Sequence, residues 1–69
     1  MTKDEDILGQ TIEQLELMNR MLEHLRTEVL PKNAKMFALM AEGLLEEMRR
    51  LQTEIEQLTA KIIATPAAA

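Results

Sequence analysis

Between Phe37 and Ile63 the chain repeats in sevens, and no proline interrupts the repeat. Phe37, Leu44, Leu51 and Leu58 recur at one heptad position, and Ala41, Met48, Ile55 and Ile62 recur at the other. Alternating steps of three and four keep both sets on one stripe of a helix. Such a stripe is an a/d seam, with Ala41 and its repeats at a and Phe37 and its repeats at d. The first half of the chain carries a seam of its own. Leu8, Leu15, Leu22 and Val29 fall seven apart at a, with Thr11, Met18 and Leu25 between them at d. Ile7, Ile12 and Met21 widen that stripe, and a wide stripe suits a bundle better than a two-stranded zipper.

The two seams do not share a register. Continuing the first by one heptad puts its next a position at residue 36, whereas the second seam puts it at Ala34. This offset matches neither a three- nor a four-residue heptad insertion, so one unbroken helix would turn its apolar stripe away from itself. The mismatch coincides with Leu30-Pro31-Lys32-Asn33. Pro31 lacks an N–H and biases Leu30 away from helical angles, and Asn33 is a strong helix N-cap. The sequence therefore predicts two helices, at about residues 3–29 and 34–64, folded into an antiparallel hairpin. In that register Leu22 faces Ala41, Leu15 faces Met48, Leu8 faces Ile55, and Leu51 lies opposite Ile12. Ile62 and Ile63 project past the start of the first helix and call for a cover from another subunit.

Local signals at the ends agree. Thr2 and Glu5 form a capping-box pair ahead of Ile7 and Leu8, and Asp4, Glu5 and Asp6 suit the positive end of a helix dipole. Thr65-Pro66 stops the second helix near Ala64, leaving residues 65–69 as an expected flexible tail. Spacing also suggests i,i+4 ion pairs from Glu16 to Arg20 and from Glu46 to Arg50. Gly9 weakens the first helix slightly, and Gly43 is a candidate for close helix approach in an assembly.

At 69 residues the chain is one domain, residues 1–69, and a single helix pair of this size has a marginal core. The absence of cysteine removes disulfides and thiolate metal sites as remedies. Oligomerisation is the remaining one. The expected fold class is thus all-α: a two-helix hairpin assembling into a dimeric four-helix bundle, with a tetramer as the next choice. The oligomer interface is expected to draw on Leu8, Ile12, Leu15, Met18, Leu22 and Leu25 from the first helix. From the second it draws on Phe37, Leu44, Met48, Leu51, Ile55, Leu58 and Ile62. The methionines gather towards the turn and middle of the hairpin, and methionine adapts to irregular partners. Met21, Met36, Leu39 and Met40 are therefore a possible partner surface for another protein helix.

Charge and chemistry narrow the function. Residues 1–30 hold seven acidic side chains against three basic ones, and residues 31–69 hold five of each, for a net charge of −4. An acidic first half disfavours nucleic acid and anionic membrane as partners. Phe37 is the one aromatic residue, so stacking platforms for bases are missing. The N-terminus lacks the basic and apolar segments of a secretory signal, and no apolar run approaches a membrane span; a cytoplasmic location is expected.

No active site is expected. Serine and cysteine are absent, which removes the common nucleophiles, and no glycine-rich phosphate loop occurs. His24 has Met21 three residues before it, so the Glu-x-x-His spacing of helical di-metal bundles is not present. Glu46, Glu47, Glu54 and Glu56 sit off the apolar stripe, where nothing would desolvate them. No metal, cofactor or catalytic residue is therefore assigned. The expected function is a non-catalytic interaction or assembly module acting as a homo-oligomeric bundle. In architecture alone a dimer of helical hairpins resembles the small RNA-binding bundles of plasmid copy control. That resemblance implies an alternative, RNA binding by a basic face built from Arg49, Arg50, Lys61 and their symmetry mates. A small adaptor binding a partner helix is the other alternative.

Overall fold

A computed structural model describes residues 3–64 of the chain. They form two helices, α1 (Lys3–Glu28) and α2 (Ala34–Ala64), packed against each other. The particle measures 58 × 16 × 12 Å. A single rod of the same residues would be about 93 Å long at the helical rise of 1.5 Å per residue. The shorter, wider body and the helix–helix packing are those of a hairpin.

The turn shows why the chain reverses where it does. Pro31 has no N–H to give the carbonyl of Thr27, so the helical ladder fails there. The last helical bond runs from the Val29 N–H to the Leu25 carbonyl at 2.9 Å, and the Leu30 N–H closes on the same carbonyl at 3.0 Å. The Val29 carbonyl then accepts from the N–H groups of Lys32 and Asn33, at 3.0 and 2.8 Å. Asn33 caps α2 as expected: its Oδ1 accepts from the Met36 N–H at 2.9 Å, satisfying a donor that the first turn leaves over. Among the described residues none takes a positive φ, and the turn is built without glycine. α1 ends at Glu28, one residue before the boundary that the seam suggested. The capping pair of Thr2 and the tail at 65–69 lie outside the described residues.

Burial follows the two seams, except that Glu47 and Glu54, expected to stay fully solvated, are half-buried beside the second seam. Thr11, Ala41 and Leu51 are buried, and the other a and d residues from Leu8 to Val29 and from Phe37 to Ile62 are half-buried. The register explains the buried set. Thr11 is a small residue on α1 at the level of Leu51, so α1 can cover Leu51 down to 2% exposure. Ala41 likewise brings α2 close to the level of Leu22. Thr11 is polar but satisfied, since its hydroxyl donates to the Ile7 carbonyl one turn back at 2.8 Å.

Two local expectations are corrected. Neither Glu16–Arg20 nor Glu46–Arg50 forms. Arg50 instead bonds Glu47, and on α1 the pair is Glu23 with Arg26. Both observed pairs are i,i+3, where the guanidinium reaches a carboxylate without extending a full turn. Gly43 has open space where a Cβ would stand, so no backbone approaches it within the hairpin.

Candidate interaction surface

In an antiparallel helix pair the seam has two flanks. The e positions of both helices share one, and the g positions share the other. The e flank carries Glu5, Ile12, Asn19 and Arg26 from α1, with Ala38, Leu45, Gln52 and Thr59 from α2. The g flank carries Ile7, Gln14, Met21 and Glu28, with Met40, Glu47, Glu54 and Lys61.

Two open grooves mark the g flank. Near the turn, Met21, His24 and Leu25 of α1 meet Met40 and Leu44 of α2 in a groove of about 350 Å³, with Arg20 at its edge. Arg20 lacks the Glu16 partner that spacing offered, and its side chain borders this groove instead. At the open end, Ile7 lies beside Glu54, Leu58 and Lys61 in a groove of about 790 Å³ that Ala64 completes. The pairings Met21 with Met40 and Ile7 with Leu58 are those that the antiparallel register demands. Neither groove converges several polar groups on one point, as a small-molecule site does.

The residues singled out by sequence divide between seam and flank. Leu8, Leu15, Met18, Leu22, Leu25, Phe37, Leu44, Met48, Ile55, Leu58 and Ile62 are half-buried, and Leu51 is buried. Each is covered on one side by the other helix of its own hairpin. Ile12 stands outside the seam and is exposed. Met21, Met36, Leu39 and Met40 are all exposed, at 46–63%. Met18 and Met48 are seam residues, so the methionines split into two classes that composition alone does not separate. Helix geometry places Leu17 one turn from Met21, and Met36 one turn from Met40. The exposed apolar surface around the turn-end groove is therefore continuous.

Sequence reasoning passed over Leu17 and Leu45, both exposed large apolar residues. Leu45 had a signal. It follows Ala38 by seven and precedes Gln52 and Thr59 by sevens, an uncharged row beside the seam.

The charges on the two flanks are placed differently. On the e flank, the Arg26 Nε donates to both carboxylate oxygens of Glu23 at 3.1 Å, close to the turn. The hydrogen bond from Arg26 holds the Glu23 carboxyl below the usual range despite a slight opposing desolvation, and Glu23 raises Arg26 in return. On the g flank the Glu47–Arg50 pair sits mid-hairpin, and its hydrogen bond raises the Arg50 pKa. Among the described residues no His, Asp and Glu side chains cluster as metal ligands. Nor is any helix long and apolar enough to cross a membrane.

Comparison with protein-family models, with curated proteins and with solved structures finds no match to this chain.

Proposed function

We propose that this chain is a non-catalytic assembly module that works as a homo-oligomeric helical bundle, with the dimer as its unit. The observation that carries the reading is the surface left over by the hairpin. Its accessible area is 5517 Å². A compact monomer of this mass exposes about 4,400 Å² by the usual surface-to-mass scaling, so about 1,100 Å² is in excess. A standard interface takes about 800 Å² from each partner. The excess is somewhat more than one copy gives up in a standard dimer interface. Half-buried seam leucines and isoleucines point the same way, because a second hairpin laid on the first completes their burial. Sedimentation equilibrium at micromolar concentration is expected to give twice the chain mass. A folded, cooperatively melting monomer would remove the reading.

The apolar surface around Met21, Met36 and Met40 favours a second reading, an adaptor that receives a partner helix in the turn-end groove. It requires that surface to stay open in the oligomer. Mild peroxide should then convert Met21, Met36 and Met40 to sulfoxides well before Met18 and Met48. Equal protection of all five would remove the adaptor reading. RNA binding gains less support. Arg50 is engaged by Glu47, and Arg49 and Lys61 point about a third of a turn apart around α2.

A further inference from the structure

We infer that the hairpin self-associates through its e flank, the face of Ile12, Asn19, Ala38, Leu45, Gln52 and Thr59. This rests on the proposed homo-oligomer and adds which face a second copy covers. A bundle interface runs the length of the helices, so every flank position along it loses water. On the e flank, the α1 row is uncharged between Glu5 and Arg26, and the α2 row is uncharged from Ala38 to Thr59. The two charges at the ends of the α1 row fall at the rim, where ions stay solvated. Asn19, Gln52 and Thr59 can bond across the interface as neutral groups, and Ile12 and Leu45 supply apolar surface at 38% and 43% exposure.

The g flank fails the same requirement. Glu47 and Glu54 stand in its middle, and the Glu47 side chain is already down to 37% exposure in the single hairpin. Covering them lengthwise would take two carboxylates per copy out of water, a desolvation that their attraction to nearby cations repays only when the pairing is complete. Glu47 has one guanidinium partner, Arg50, which would have to be covered with it. The g flank therefore suits local contacts at its two grooves, not the long contact a bundle needs. The excess area and the uncharged rows together commit the e flank to a second copy of this chain.

Charge insertion tests the assignment. Leu45→Glu and Asn19→Glu each place a carboxylate in the e row at an exposed helical position off the seam. Either should raise the dimer dissociation constant at least tenfold by sedimentation, while Met21→Glu and Met40→Glu leave it within about twofold. Helical content by circular dichroism confirms that each variant folds. As a second measurement, the chain has no native cysteine, so Asn19→Cys and Gln14→Cys report the e and g flanks separately. A short bis-maleimide should link Asn19→Cys chains into dimers and leave Gln14→Cys chains unlinked. A parent chain that is monomeric would overturn the proposed function itself. A dimeric parent whose Met21→Glu or Met40→Glu form dissociates, or whose Leu45→Glu and Asn19→Glu forms stay associated, would overturn only the choice of face.

Discussion

The e and g flanks of this hairpin border the same seam, yet they are built on different terms. The g flank has the larger apolar side chains, Ile7, Met21 and Met40, and opens into two grooves. The e flank has fewer apolar atoms but no charge through its centre. Apolar content by itself would choose the g flank as the buried face. The position of charge chooses the other, because one uncompensated carboxylate under an interface offsets the burial of a whole side chain. The lesson is that a face is suited to burial by what it lacks as much as by what it carries. Methionine fits the role left to the g flank, since an unbranched thioether adapts to varied partners without a fixed shape.

The largest expected effect removes the seam beneath both flanks. Leu51 is the most buried residue of the hairpin, at 2% exposure. Leu51→Ala should cost about 2–5 kcal/mol per chain, the range for buried large-to-small changes. Thermal melts at matched concentration check this, and a variant as stable as the parent would mean that the seam is not the core on which the flanks rest.

Smaller effects separate the flanks from the turn. Asn33→Ala deletes the cap at the Met36 N–H and should cost about 1 kcal/mol. Because the cap lies outside both flanks, the variant's loss in a denaturant titration should be the same with and without dimer present. A loss that grows on dissociation would tie the turn to the interface. Gly43→Ala tests the g side directly. The open space at this helical position predicts a gain of about 0.5–1 kcal/mol from helix propensity. If another backbone instead approaches Gly43 in the oligomer, the variant should weaken association, and the g side would regain its claim to the interface.

The smallest effect is electrostatic. The Glu23 carboxyl is lowered in the folded chain by its bond to Arg26. A depressed acid contributes stability above its unfolded pKa and loses it as pH falls through the folded value. The pair should therefore contribute at neutral pH and fade on acidification below the ordinary carboxylate range. Both partners are solvent-exposed, so the contribution is small and screened by salt. Glu23→Gln should flatten the acid side of the stability profile slightly. If Glu23→Gln also shifts the dimer equilibrium with pH, the Arg26 end of the e flank is part of the interface and not its rim.

The sequence by itself determined the two helices, the break between them and the residues that face inward. Heptad spacing fixes the stripe, because a helix has one period and apolar groups must share a side to leave water. Pro31 and Asn33 fix the turn through one missing donor and one added acceptor, both local effects. Apart from Glu47 and Glu54 at g, the half-buried and buried positions of the two seams follow the a/d pattern for the same reason. Tertiary structure decided the rest. Which seam residues close fully depends on which side chain stands opposite, so Leu51 is covered beside small Thr11, whereas Leu44, equally apolar and also at d, is half-buried. The methionines, by contrast, sort by register alone: Met18 and Met48 lie on the seams and are half-buried, while Met21, Met36 and Met40 lie off them and are exposed. Ion-pair choice was settled in three dimensions. Spacing offered Arg50 both Glu46 and Glu47, and the side chain took Glu47, the one on the g flank. Spacing names every neighbour a side chain can reach along its own helix. Which one it takes is a matter of rotamer, and in the folded chain Arg50 takes the partner it reaches within one turn, Glu47.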